Sequence, residues 1–360
     1  MADDQARRPP KGRGTANNRS SRFNAIATEP ADDGWGGGDE EDLPKLRTEV
    51  FADTSRTIIS YNDSPDIPFD RSINPYKGCE HGCSYCFARP THAYLGLSPG
   101  LDFETKLFAK HDAAALLARE LGKRGYRPDV IALGANTDPY QPIERRLRIT
   151  RGILQVLHDC AHPVSIVTKG GLIERDLDLL GPMAARRLAQ VAVSLTTLDA
   201  NLSRRLEPRA ASPRRRLRTI RALAEAGVPV TVLFAPVIPA LNEPELEAVL
   251  TAARDAGARA AGYVLLRLPL EVEEIFRGWL EAHEPLKAAH VMSLLAQMRG
   301  GKAYQAEFGS RMSGKGVFAQ LIAKRFKLAC ARLGLNERRL DLDVSQFVPP
   351  RQDDGQLSLF

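Results

Sequence analysis

The 360-residue sequence holds only five cysteines. So few thiols exclude a disulfide-stapled scaffold and suit a reducing compartment. No run approaches the ~18 apolar residues of a membrane-spanning helix, so no membrane association is expected. The opening residues, MADDQARRPPKGRG, carry charge and proline where a secretory leader requires an apolar stretch. A cytoplasmic location is the expectation. A phosphate loop of the Gly-x4-Gly-Lys-Ser/Thr type is also missing. The Gly- and Ser-rich stretch FGSRMSGKG (308–316) lacks it and reads as a linker, with a substrate-covering loop as the alternative.

With 43% hydrophobic and 26% charged residues, the chain suits a large globular domain with tails, or two small domains. Its net charge of +6 is compatible with a nucleic-acid partner. Arg7, Arg8, Lys11, Arg13, Arg19 and Arg22 make a basic start, followed by an acidic block through Asp42. Without an apolar period, residues 1–45 are expected to be a disordered, solvated tail.

From about residue 70, apolar strand-like runs recur: SINPYKG, DVIALGA (129–135), PVSIVTKG (163–170), LAQVAVSLT (188–196), VPVTVLFAPVI (228–238) and AGYVLLRLP (261–269). Helix-patterned segments at 111–124, 143–159 and 212–227 lie between them. In the last, Ser212 caps the first turn, Pro213 takes the first helical position and Gly227 stops the helix. Leu217, Ile220, Leu223 and Ala224 form its inward stripe, with arginines on the other faces. Strands repeating at roughly thirty residues, near-continuously apolar, fit right-handed βαβ units in a parallel sheet covered by helices. Six units fall short of the eight of a closed barrel. The expected fold is therefore α/β, a partial, open TIM-type (βα)6 barrel over residues 46–270, with a doubly wound sheet as the fallback. A helical extension over 271–345 and a flexible tail over 346–360 complete the expected organisation.

Three of the five cysteines, Cys79, Cys83 and Cys86, fall within NPYKGCEHGCSYCFARPTH (74–92). Three is odd, and loops this short pair badly with disulfide geometry. Thiolates are soft ligands for zinc and for iron–sulfur clusters. Three of them on one loop can hold three irons of a [4Fe–4S] cube and leave the fourth open to a chelating molecule. Zinc is the alternative, its fourth ligand coming from His81, His92, Cys160 or Cys330. The two separated ligand pairs usual in zinc modules are not visible. A zinc-bearing nucleic-acid-binding module thus stands as the non-enzymatic rival. Cys160 and Cys330 otherwise read as small core residues.

The Cys-x3-Cys-x2-Cys spacing, with Tyr85 before the third cysteine, resembles the cluster loop of the radical S-adenosylmethionine (radical SAM) superfamily. Its place after the first strand of a (βα)6 array matches too, and the resemblance covers about residues 70–270. It implies a [4Fe–4S] cluster on Cys79, Cys83 and Cys86, with SAM chelated to the open iron. It further implies an electron donor such as flavodoxin or ferredoxin, and reductive cleavage of SAM to a 5′-deoxyadenosyl radical. Further SAM contacts are expected at later strand ends. Family members often carry Gly-Gly-Glu after the second strand, whereas this chain has Asn136, Thr137 and Asp138. Lys169 and Ser194, at the next two strand ends, resemble the spore photoproduct lyase branch, in which a hydroxyl, a lysine and a serine contact SAM. Thr137, Lys169 and Ser194 carry over on that basis. Glu207 and Arg216 are expected to shape the SAM pocket through a salt bridge. The lyase's hydrogen-donor cysteine would lie near Ala135 and Asn136, and no cysteine is present there. Residues 204–221 hold eight arginines, read as a solvated helix face with phosphate contact as the minority alternative.

The chain ends RQDDGQLSLF. Gln356, Leu357, Leu359 and Phe360 resemble the bacterial sliding-clamp-binding peptide, in which apolar side chains fill a pocket and Gln anchors the backbone. A tail packed on its own domain is the rival. The resemblances together imply a radical SAM enzyme acting on nucleic acid, in a DNA-repair-like role. A small-molecule or protein substrate is the alternative.

Overall fold

All six apolar runs become parallel strands of one sheet. A computed structural model describes residues 9–16, 18, 20–23 and 46–350. The strands are β1 (Glu49–Ala52), β2 (Ile59–Tyr61), β3 (Arg71–Ile73), β4 (Tyr76–Lys77), β5 (Lys106–Ala109), β6 (Ile131–Leu133), β7 (Val164–Thr168), β8 (Ala189–Ser194), β9 (Val230–Val237) and β10 (Ala260–Leu265). The helices are α1 (Leu101–Thr105), α2 (Ala113–Leu121), α3 (Glu144–Leu147), α4 (Ile149–Asp159), α5 (Leu177–Ala185), α6 (Ala200–Leu206), α7 (Pro213–Glu225), α8 (Leu246–Asp255), α9 (Val272–His283), α10 (Pro285–Gln297) and α11 (Gly316–Leu333).

The main sheet has the order β10-β9-β8-β7-β6-β3-β2. β3 and β6 to β10 are parallel, and β2 adds an antiparallel edge. This is the open parallel sheet of a partial (βα)6 barrel, with edges at β2 and β10. A smaller sheet, β1-β5-β4, lies beside the cysteine loop.

Val164, Ile166, Val191, Val193, Val230, Val232 and Phe234 are buried beneath the helices with Leu154, Leu180, Ile220 and Leu223. The strands are less continuously apolar than expected. Ser165, Gln190 and Thr231 alternate with buried positions and are only partly covered. An open barrel leaves its inner face within reach of solvent, so polar residues are tolerated there.

Three local expectations are corrected. Residues 143–159 form two helices rather than one, because Arg148 adopts φ 54° and breaks the helix. In α7, Ser212 does accept from the Arg215 N–H and Pro213 opens the helix, but Arg216 points inward, 1% exposed. Leu217 and Ala224, assigned to the stripe, are only half-buried. The stretch 308–316 is tied down. Leu265 N–H donates to the Met312 carbonyl (2.8 Å), while Gly309 N–H (2.7 Å) and the Arg311 guanidinium (2.6 Å) donate to Asp66. It therefore touches both β10 and the loop between β2 and β3, the two edges of the open sheet.

The amino-terminal segment also departs from a solvated tail over residues 9–16. Arg13 and Thr15 are buried, Arg13 donates to the Glu104 carbonyl (2.9 Å), and Gly14 N–H and the Thr15 hydroxyl donate to the Glu104 carboxylate. Gly14 packs so closely on Gly82 that a Cβ would lie 1.6 Å from the Gly82 carbonyl oxygen. Among the described residues, no helix is long and apolar enough to cross a membrane.

Candidate active site

The cysteine loop leaves β4 and turns at Gly78 and Gly82, whose φ values of 79° and 66° favour glycine. Backbone and side-chain bonds clamp it at both ends. Cys79 N–H donates to Phe103 O (2.9 Å), Ser84 N–H to Leu206 O (3.0 Å), and Glu80 N–H to the Gln141 side chain (2.8 Å). The wholly buried Arg89 donates Nε to the Cys83 carbonyl (2.9 Å) and Nη2 to Glu104 (2.6 Å). Cys79 and Cys83 are buried and Cys86 is half-buried.

Burial pushes both buried thiols up: Cys79 well above the usual thiol range, with Asp138 and the neighbouring cysteines adding to it, and Cys83 to about 12. Glu207 and Cys86 raise Cys83 further, while Lys169 and Arg216 oppose them. Left alone, these sulfurs keep their protons. Iron held by Cys79, Cys83 and Cys86 would supply the positive charge that replaces those protons, since a coordinating thiol is deprotonated. A three-thiolate loop of this kind fits a [4Fe–4S] cluster. The histidines of the zinc alternative each hold one ring nitrogen to the protein, and His92 Nδ1 is buried without a partner among the described residues. His81 Nδ1 faces Asp138 (3.4 Å), and His92 Nε2 bonds the Lys106 carbonyl (2.9 Å). Cys160 caps α4 at the amino end of β7, and Cys330 lies within α11.

The other expected residues gather at the carboxyl ends of the strands. Tyr85 donates its hydroxyl to the Glu207 carboxylate, which also receives the Thr196 hydroxyl (2.6 Å) and the Arg216 guanidinium. Arg216 donates further to the Ser194 carbonyl (2.9 Å) and the Ala211 carbonyl (2.8 Å). Burial works against the Glu207 charge, but Arg216 and then Lys169 bring its carboxyl down to about 2. The expected salt bridge is thus present, inside a fully buried network. Lys169 Nζ lies 5.9 Å from the centre of the Tyr85 ring and makes no ion pair among the described residues.

Asp138 is equally committed. It accepts from the Thr168 hydroxyl (2.7 Å) and the Lys169 N–H (2.6 Å), and with His81 beside it stays at about 2 despite burial. Thr137 donates to the Tyr76 carbonyl (3.0 Å) and Ser194 to the Ala235 carbonyl (3.0 Å), so both hydroxyls are bonded within the protein. Asn136 is exposed, its N–H on the Asn74 side chain (2.8 Å). Much of the arginine run is spent on protein carboxylates: Arg205 pairs with Glu284, Arg209 with Glu80, Arg215 with Glu174 and Arg216 with Glu207. The expected solvated face is therefore only part of it. Arg89, Glu104 and Gln141 were missed by sequence reasoning, since no spacing marks them. Gln356, Leu357, Leu359 and Phe360 lie outside the described residues.

An open six-stranded parallel α/β sheet with three thiols on the loop after its first strand defines a cluster-bearing enzyme of the partial-barrel class. The chain belongs to the radical SAM superfamily, whose family model it matches over residues 73–253. The chemistry of that superfamily uses a [4Fe–4S] cluster and SAM. It is 40% identical over 221 residues to Uncharacterized protein Rv2578c of Mycobacterium tuberculosis, covering 61% of this chain and 65% of that protein. It is 28% identical over 173 residues to Uncharacterized protein MJ0683 of Methanocaldococcus jannaschii, covering 48% of this chain and 62% of that one. The match thus spans less than two thirds of the length of these relatives. Among solved structures, a spore photoproduct lyase mutant superposes with a TM-score of 0.57 at 15% identity, covering 79% of this chain and 80% of the lyase. Another, with bound AdoMet and dinucleoside spore photoproduct, gives 0.57 at 14% identity over the same shares. At such identities the likeness is one of fold.

Proposed function

We propose that this enzyme acts on DNA, in a reaction that begins with hydrogen-atom abstraction. The observation that carries the proposal is the fold shared with spore photoproduct lyase over 79% of the chain, since that enzyme's structure holds a dinucleoside photoproduct. The charge of +6 agrees with a DNA substrate. When bound on Cys79, Cys83 and Cys86, the cluster supplies the electron that cleaves SAM. The protein's own residues position and shield. Tyr85, its hydroxyl held by Glu207, stands beside the third cysteine. Lys169, whose ammonium forms no ion pair among the described residues, would meet the SAM carboxylate. Asn136, Thr137, Asp138 and Ser194 shape the rim through the backbone they hold, and Asp138 orients the Lys169 N–H. Lacking a cysteine at Ala135 or Asn136, the chain does not return hydrogen by the lyase's thiol at that place.

The carboxyl-terminal Gln356, Leu357, Leu359 and Phe360 tether the enzyme to the bacterial sliding clamp in this proposal, raising its local concentration on DNA. A flavodoxin or ferredoxin supplies the electron. The decisive experiment incubates anaerobically reconstituted enzyme with SAM, reductant and damaged or undamaged oligodeoxynucleotide, then analyses the products. DNA-dependent formation of 5′-deoxyadenosine with an altered nucleotide is expected. Turnover that DNA never stimulates, seen instead with a small molecule or peptide, rejects the DNA substrate.

A further inference from the structure

Two arginines near the carboxyl end of β10, Arg267 and Arg299, stand close enough to repel, and neither is paired with a carboxylate among the described residues. Arg299 is 1% exposed, and its Nη atoms donate to four carbonyls: Ser310 (3.1 Å), Arg311 (2.7 Å), Leu265 (3.3 Å) and Leu266 (2.9 Å). Its Nε is buried without a partner among the described residues. Burial and then repulsion from Arg267 lower it to about 10. Arg267 is served more poorly. Among the described residues its Nη1 reaches only the Met312 sulfur (3.6 Å), its Nη2 only the Tyr304 hydroxyl (3.4 Å), and its buried Nε has no partner. Neither guanidinium forms a salt bridge among the described residues.

A cation held against a second cation, with weak neutral acceptors and an orphaned donor, is costly unless an anion completes it. The position says which anion. Arg267 lies 5.1 Å from the centre of the Phe87 ring, and Phe87, 42% exposed, directly follows Cys86. The guanidinium therefore sits beside the cluster loop, backed by the segment that touches both sheet edges.

We propose that Arg267, buttressed by Arg299, is an anion subsite that takes a backbone phosphate of the DNA substrate, with the exposed Phe87 ring offering an apolar face to the neighbouring nucleotide. The guanidinium fork matches a phosphate's paired oxygens, and exposed aromatics beside cations are the usual platform for unstacked bases. Arg299, its Nη atoms bonded to carbonyls, positions the wall and contributes charge. This inference rests on the DNA reading above.

Arg267→Gln and Arg267→Lys would be compared with wild type for binding of a fluorescent oligodeoxynucleotide across salt concentrations, with iron content and SAM affinity measured alongside. Loss of one phosphate contact predicts affinity falling about tenfold for Gln and less for Lys, and the log–log salt slope dropping by about one. SAM affinity should hold. An unchanged oligonucleotide affinity and slope in Arg267→Gln overturns the subsite and leaves the DNA substrate standing. A loss of SAM affinity equal to the loss of DNA affinity also overturns it, because the arginine would then serve the cofactor. If wild type binds no DNA, the DNA reading fails, and inorganic phosphate becomes the probe. Phosphate that stabilises wild type thermally but not Arg267→Gln keeps the anion subsite, and phosphate that affects both alike removes it.

Discussion

The Glu207–Arg216 pair is a wholly buried ion pair of the site at the residue scale. Both groups are almost completely buried, and Tyr85, Thr196 and the Ser194 and Ala211 carbonyls satisfy their remaining hydrogen-bonding capacity. Breaking such a pair leaves a naked buried charge, at about 3–5 kcal/mol, whereas removing both partners is much cheaper. Arg216→Met should therefore destabilise the reconstituted protein by roughly 3 kcal/mol. Glu207→Gln with Arg216→Met should lose less than the two single changes combined. Denaturant unfolding under anaerobic conditions reads both, and strict additivity would show the two residues to be uncoupled. The salt bridge between residues 207 and 216 was legible in the sequence because the two flank one short turn, and spacing marked the cysteine loop. Arg89, Glu104 and Gln141 were not, because they act on backbone carbonyls and amides that only the folded chain brings near.

At the scale of elements, the parallel strands were legible because each is a short apolar run followed by a helical period. The break at Arg148 was hidden, since a left-handed non-glycine residue leaves no mark on hydrophobic spacing. Residues 9–16 escaped detection for a different reason. They bury few apolar side chains and are held by polar bonds to Glu104, a carboxylate that also receives Arg89 and so connects the amino-terminal segment to the cysteine loop. Gly14 makes this docking testable. A methyl group there would lie 1.6 Å from the Gly82 carbonyl oxygen, far inside any tolerable contact. Gly14→Ala should detach the segment, and tryptic cleavage at Lys11 and Arg13 should accelerate by at least about tenfold if local opening governs cleavage. An unchanged cleavage rate would show that the segment is not held by this contact.

The whole molecule keeps its cysteine loop at one end of the strands and a buried histidine at the other. His162 precedes β7 and lies among residues from distant parts of the chain. Its Nδ1 faces the Pro163 carbonyl (3.0 Å), its Nε2 faces the Tyr126 hydroxyl (2.9 Å), and its ring meets Phe347 edge-on at 5.3 Å. The segment carrying Phe347 is pinned nearby through Asp343 N–H on the Arg187 carbonyl and Val348 N–H on the Cys160 carbonyl, both 2.8 Å. A neutral ring that donates from Nδ1 and accepts at Nε2 satisfies both neighbours. Burial lowers its pKa to about 4; the Pro163 carbonyl opposes this, and Arg71 and Asp129 add smaller effects, downward and upward respectively. The sign follows from linkage. Between the unfolded value of 6.5 and the folded value of about 4, the unfolded chain binds the proton and the native protein does not. The contribution of His162 is thus fully present above pH 6.5 and is lost as pH falls toward about 4, on the order of 3 kcal/mol at about 1.4 kcal/mol per pH unit. His162→Gln cannot take up that proton, so its stability should be flatter across the same window than that of wild type. Urea unfolding at a series of pH values measures the difference between the two slopes. Parallel profiles would show that acid acts on other groups and that the amino ends of the strands are not the acid-sensitive part of the fold.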